Sequence, residues 1–373
     1  MSAGYASRLS EYNNKGICGL PEKKETARSL TVKTNQLVDL VRNAKHVVLL
    51  TGAGISTSAG IPDFRGPKGI WTLEEKQRKR KERLEAVARK RNRSAEAKAK
   101  TELLEQVVGN SGTTNVRNSK DDDNACEGAS KRQKTDKEGP RGPVPSSLPV
   151  STTTTTITTS PTPTVASGPK MDFTDAKPTK THRAICKLVE LGYVQFVVTQ
   201  NVDGLHKKSG LSRDHHAVLH GCVFTETCEK CETEHFRDFD VGGMSFQRTG
   251  RKCETNNGCD GHLVDSLLDW EDELPEFDFD RAVYHSEKAD LAIALGTSLR
   301  IEPAGGLPAR ANKFAIVNLQ VTPYDGQSKL IIRAPVDGIM DELLKRLGHP
   351  DWDQDEGKNV QIERLWKRPK PFL

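Results

Sequence analysis

Residues His46–Ser56 read HVVLLTGAGIS, and the two halves of this segment make different demands on the backbone. The first half is a nearly continuous apolar run, the pattern of a strand buried on both faces of a parallel sheet. The second half, Thr51-Gly52-Ala53-Gly54-Ile55-Ser56, places glycines where the strand ends. Glycines there let backbone approach a diphosphate closely at a helix N-terminus. Alone the turn is weak evidence, because a Gly-x-Gly after a strand is often only a tight turn, and Thr57 stands where the third glycine of the dinucleotide fingerprint belongs.

Four more short apolar runs read as strands: Val194–Thr199, Asp290–Leu295, Phe314–Leu319 and Lys329–Ile332. Helical stretches lie between and around them. The clearest comes last, where Val336, Ile339, Met340, Leu343, Leu344 and Leu347 form one apolar stripe at helical spacing. Strands alternating with helices imply an α/β fold with a doubly wound, Rossmann-like parallel sheet, whose ligands sit at the carboxyl ends of the strands.

The hydrophobic fraction of 35% and mean hydropathy of −0.62 lie below the usual globular level, so part of the chain stays outside any core. That part is 76–169. It begins with a basic stretch, in which Lys76–Lys100 holds twelve Lys or Arg against three Glu, and it ends in a Ser/Thr/Pro-rich tract. Such a segment buries too little apolar surface to offset its ordering entropy. It reads as an insertion, helical over Glu74–Val108 and disordered beyond. The catalytic domain is then 1–75 with 170–348, and 349–373 is a C-terminal tail. No apolar run reaches the eighteen or so residues needed to cross a bilayer, and the N-terminal residues offer no signal peptide. The expectation is a soluble intracellular protein with no membrane partner, whose eight cysteines are free or metal-bound.

Further motifs follow the glycine turn in a fixed order: Gly60-Ile-Pro-Asp-Phe-Arg-Gly66, Gln200-Asn-Val-Asp-Gly-Leu-His206, Leu219-His220-Gly221 and Gly296-Thr-Ser-Leu299. This series resembles the sirtuins. Gly16–Pro21, Gly69-Ile-Trp71-Thr, Asp269-Trp-Glu-Asp272 and Asn318-Leu-Gln320 look most like the nuclear class IV branch, nearer sirtuin-6 than sirtuin-7. The resemblance covers residues 5 to 75 and 170 to 348.

The resemblance implies NAD-dependent protein lysine deacylation, with NAD consumed. The acyl oxygen of a modified lysine attacks C1′ of the nicotinamide ribose, nicotinamide leaves, and a ribose hydroxyl attacks the resulting imidate with help from a base. His220 matches the family's catalytic histidine, and an imidazole whose ordinary pKa is roughly 6.5 suits that base. Asn201 joins it as catalytic, and Gln200, Asn201 and Asp203 would line the ribose and nicotinamide pocket. Ala53, Thr57, Phe64, Arg65 and Trp71, with Gly52, Gly54, Ser56 and Asp63 in the same segments, would surround the diphosphate and nicotinamide ribose. Gly296, Thr297 and Ser298 would meet the phosphates and adenine side, and Asn318, Leu319, Gln320 and Val336 would complete the adenosine site.

Cys228-x2-Cys231 and Cys253-x5-Cys259 supply four thiolates, a donor set that holds one structural zinc within a module over 222–264. The second pair is wider than the tight Cys-x2-Cys template, and Cys222, His235 and His262 are chemically competent substitutes. Four protein ligands leave no position for water, so this metal catalyses nothing. Partners implied are acyl-lysine proteins such as histones. The run Lys76–Arg83 suits nuclear import or contact with DNA or chromatin, and a charged run of this kind is also what a solvated helix shows. The same site fits protein mono-ADP-ribosyl transfer. A non-catalytic chromatin-binding scaffold is the distinct alternative, against which the intact His220, Asn201, Asp203 and Arg65 argue.

Overall fold

Val47–Thr51 forms a strand whose five residues are all buried, alternating between two cores: Val47 and Leu49 face one, Val48 and Leu50 the other. Burial on both faces is what the unbroken apolar run requires. The computed structural model describes residues 5, 8–12, 15–109, 173–255, 258–354 and 360–369. The Thr/Pro tract, with its expected disorder, lies outside the described residues.

In chain order the elements are α1 (Ala27–Asn43), β1 (Val47–Thr51), α2 (Ile70–Gly109), α3 (Lys180–Glu190), β2 (Phe196–Thr199), α4 (Leu205–Lys208), β3 (His216–Val218), β4 (Thr225–Cys228), β5 (Thr233–Phe236), β6 (Arg248–Lys252), β7 (His262–Asp265), α5 (Glu276–Lys288), β8 (Leu291–Leu295), β9 (Phe314–Val317), β10 (Leu330–Ile332), α6 (Val336–Arg346) and β11 (Leu365–Lys367). Internal contacts divide the chain into two units, residues 1–82 with 168–373, and residues 83–167. No described helix is long and apolar enough to cross a membrane.

In the first unit, β10-β9-β8-β1-β2-β3 make one sheet whose pairings are all parallel. The chain runs outward from β1 through β2 to β3, then returns to β8 on the other side of β1 and runs outward again. The switch point therefore lies between β1 and β8, the place where doubly wound sheets bind ligands. Leu37, Val38 and Val41 of α1, Ile185 and Leu188 of α3, and Ile339, Leu343 and Leu344 of α6 cover one face. Ala282 of α5 and Leu307 cover the other. α3 is started by a capping box in which Thr179 and His182 satisfy each other's backbone groups.

A second sheet, β11-β5-β4-β7-β6, is antiparallel and carries the cysteine module. Its outer strand β11 comes from the segment expected to be a tail. Trp366 drives the docking: it is buried, stacks under the Arg213 guanidinium and donates from Nε1 to Asp214 Oδ1 at 3.0 Å. At the glycine turn the structure departs from the expected helix N-terminus. No α-helix starts there, because Ala53–Ile55 and Thr57–Ala59 form two 3-10 turns that end at Gly60. Ser56, between them, is tied sideways to Asp203 instead of capping a helix.

Candidate active site and metal centre

The loops that leave β1, β2, β3 and β8 meet at the carboxyl edge of the parallel sheet and wall a cavity of about 460 Å³. From the β1 side come Gly52, Ala53, Gly54, Asp63, Phe64, Arg65 and Trp71. Gln200, Asn201 and His220 come from β2 and β3, and Gly296, Thr297, Ser298, Asn318 and Gln320 from β8 and β9. Fifteen residues chosen from sequence thus share one cavity.

The cavity is held by bonds between loops. Gly54 N donates to Gly296 O at 2.8 Å. A Cβ on Gly54 would stand 2.7 Å from that oxygen, so the contact demands glycine. Asn201 Nδ2 donates to Gly52 O at 3.1 Å and to Ser56 Oγ at 3.3 Å, and Gln200 Nε2 donates to Thr297 Oγ1 at 3.1 Å. Below them Thr51 and Thr199 join hydroxyls at 2.8 Å, and Asn201 N donates to Thr199 Oγ1. Gln320 Nε2 reaches Leu20 O and Arg65 O, fastening the N-terminal segment beside the Arg65 loop.

His220 is half-buried, with Nδ1 3.1 Å from Gln200 O. A carbonyl only accepts, so Nδ1 carries the proton and the neutral ring presents Nε2 as an acceptor. Nε2 has no partner among the described residues. Burial lowers the ring's pKa to about 4, against an opposing pull from the Gln200 carbonyl, and the nearby Arg65 cation lowers it further. His220 is therefore an unprotonated base at neutral pH. Arg65 is itself lowered to about 10 by burial and remains a cation, with its guanidinium 4.4 Å from the Trp71 ring and Nε donating to Lys15 O. Burial raises the Asp63 carboxyl, opposed by the Gly66 amide.

Five residues chosen from sequence do not line this cavity. Ser56 is fully buried and donates to Asp203 Oδ2 at 2.7 Å. Asp203 accepts that bond and one from Leu205 N, and burial raises its carboxyl. Thr57 is exposed and donates back to Gly54 O. Leu319 lends its carbonyl to Lys23 N, and Val336 packs into the core beneath α6. Conversely, sequence reasoning passes over Tyr5, Leu9, Val202, Leu268, Leu274, Phe279 and Ile301, which make an apolar wing of the cavity. It also gives no role to Asp269, Trp270, Asp272, Glu273 and Glu302 on the same wall, although Asp269–Asp272 stands out as a motif.

The four cysteines converge. All Sγ atoms lie within 4.8 Å of one another, with Cys228–Cys259 and Cys231–Cys253 at 3.7 Å. Tetrahedral zinc with Zn–S bonds of about 2.3 Å separates its sulfurs by about 3.8 Å, so the donor set and spacing fit the metal. Gly261 is needed beside it, since a Cβ there would meet Cys228 Sγ at 2.5 Å. His235 Nε2 lies 3.4 Å from Cys253 Sγ, an outer partner and not a ligand. Cys222 packs instead beside Phe224, and His262 sits 3.1 Å from Lys252 Nζ.

The Sir2 family model matches residues 52–118 and 150–303, more than half of the chain. The "NAD-dependent protein deacetylase Sirt6" of Drosophila melanogaster is 37% identical, over 93% of this chain and 86% of its own length. "NAD-dependent protein deacetylase SRT1" of Arabidopsis thaliana is 34% identical over 93% of this chain, which spans 56% of that relative. "NAD-dependent protein deacetylase sirtuin-7" of Bos taurus is 29% identical over 89% of this chain and 62% of its own length. The Sirt6 and sirtuin-7 matches support a place like that of the class IV branch. On the family match and the Sirt6 likeness over nearly its whole length, this chain belongs to the Sir2 family.

Proposed function

We propose that this chain is an NAD-dependent protein lysine deacylase that works in the nucleus on histone tails and other acylated proteins, releasing nicotinamide and O-acyl-ADP-ribose. One observation carries the reading: the unprotonated His220, Asn201 and the glycine turn, far apart in sequence, wall a single cavity at the switch point. NAD, when bound, supplies a glycosidic bond whose cleavage makes C1′ electrophilic.

The chain's residues then have separable tasks. The Gly52 and Gly54 amides are spent on Leu295 and Gly296, so the close approach that these glycines allow at Ala53 and the Arg65 cation are what suit a diphosphate. Gln200 and Asn201 offer amides to sugar hydroxyls and to a carboxamide. His220 Nε2 takes the proton of a ribose hydroxyl, and the Gln200 carbonyl keeps the ring in the tautomer that can do so. The apolar wing of Val202, Leu268, Leu274, Phe279 and Ile301 excludes water and has the character to receive an acyl chain, including a long one. Asp269, Asp272, Glu273 and Glu302 line the same wall and favour a lysine-rich peptide.

The test is incubation with NAD and acetylated or long-chain acylated histone peptides, with mass spectrometry of nicotinamide and O-acyl-ADP-ribose. Both products form with the wild-type chain. Their absence, with the folded protein confirmed, would refute the assignment, and ADP-ribosylated protein as the dominant product would replace it by mono-ADP-ribosyl transfer.

A further inference from the structure

The insertion begins as a helix, and the part of α2 in the second unit sorts its charges by face. Every side chain from Arg83 to Glu105 is exposed, so no core dictates which way these residues point. Between Arg83 and Lys100 there are seven Lys or Arg against two Glu. At about 100° per residue, Arg83, Lys90, Arg91 and Lys98 fall on one flank of the helix and Arg89, Arg93 and Lys100 on the next, so that all seven cations share an arc of about 200°. Glu85 and Glu96 both fall in the remaining arc, with Ala88, Asn92, Ala95 and Ala99.

Five of the seven cations are also free to act. Arg89 meets Glu85 only at 3.7 Å and Lys98 meets Glu102 only at 3.9 Å, and all four side chains are exposed. Arg83, Lys90, Arg91, Arg93 and Lys100 have no ion pair among the described residues. Glu85 and Glu96 each stand four residues before a cation, Arg89 and Lys100, but both lie past one edge of the arc, so neither sits among the other five cations. Here the anions are kept off the cationic arc.

We propose that this face of α2 binds double-stranded DNA without reading its sequence, lying in the major groove with its two cationic flanks against the two phosphate strands. The proposal deepens the chromatin reading above and rests on it for DNA near the enzyme. The B-form major groove, about 12 Å wide, admits a helix of about 10–12 Å diameter, whereas the major groove of duplex RNA is too narrow for it. Arg83 to Lys100 spans about 26 Å along the axis, about twice the groove's width, so cations along it meet several successive phosphates.

The experiment uses the full chain and a fluorescent mixed-sequence DNA duplex, with anisotropy read across a salt series. Five unpaired cations predict a slope of log K against log[salt] of about −4.5, a loss of roughly 500-fold between 50 and 200 mM. Replacing Arg83, Lys90, Arg91, Arg93 and Lys100 together by Gln, a residue of similar helix propensity, removes most of that slope while circular dichroism keeps its helical signal. Glu85→Gln with Glu96→Gln binds DNA at least as tightly as the wild type. Unchanged binding in the five-Gln variant, weaker binding in the Glu variant, or equal competition by duplex RNA or polyglutamate overturns the proposal. Nicotinamide release on a free acyl-peptide is read in the same samples. A wild-type chain that turns over peptide but ignores DNA sinks this proposal alone, and one that binds DNA but releases no nicotinamide sinks only the enzymatic reading.

Discussion

The Gly54 amide donates to the Gly296 carbonyl at 2.8 Å, so the turns that close β1 and β8 touch backbone to backbone at the switch point. Gly296 holds φ at +58°, a conformation that side chains rarely adopt. Gly54→Ala would put a methyl 2.7 Å from the Gly296 oxygen and force the turns apart. The expected outcome is a loss of about 1–3 kcal/mol in stability and about a tenfold or greater loss in NAD affinity. Thermal unfolding and calorimetric titration with NAD check both.

Ser56 and Asp203 form a buried pair beneath the cavity wall, and their value lies in each other. Removing either leaves the other short of one buried hydrogen bond, with only the Leu205 amide left to Asp203 or the Asn201 amide left to Ser56, at about 1–3 kcal/mol. A double-mutant cycle with Ser56→Ala and Asp203→Asn should return a coupling of about 1 kcal/mol or more in urea unfolding. Additive effects would show that the two side chains act independently.

His182, His206 and His216 are buried together, and burial lowers all three, His206 to about 3. A histidine lowered in the fold is neutral there while the unfolded chain takes up a proton. Stability is therefore complete above the unfolded value of roughly 6.5 and is lost as pH falls below it. Urea midpoints should drop between about pH 6.5 and 5, before the carboxylates titrate. His206→Gln should flatten part of that slope.

The four-cysteine cluster predicts one zinc per chain by elemental analysis. Cys228→Ala, or a strong chelator, removes a contribution on the order of 10 kcal/mol and should unfold the module, exposing Leu263 and lowering the melting temperature. A variant that keeps its melting temperature and loses its zinc would show that the metal does not hold the module.

Much of this is legible in the sequence where one residue type answers one physical demand. The runs that form β1, β2, β8, β9 and β10 are apolar because both their faces are buried. β3 gives no such signal, because its three residues include the polar His216, buried without any periodicity. The zinc sheet is hidden because β6 is half exposed and basic, and β11 because one tryptophan in a polar stretch shows no alternation. Motif order gathers fifteen of the cavity's residues, but Tyr5, Leu274 and Phe279 arrive through tertiary folding that no local pattern announces. Ser56, Asp203 and Val336 stand near the cavity in sequence order and support it from behind.

The assignment of His220 as the base is decided by the pH dependence of kcat/KM for NAD-dependent deacylation, compared between the wild type and His220→Gln. A base lowered to about 4 stays unprotonated across the neutral range, so the wild-type acid limb should lie well below pH 6.5. The variant should lose about 10²–10⁴-fold in rate together with that limb. An acid limb that persists unchanged in the variant, or turnover close to wild type, would take the proton-accepting role away from His220.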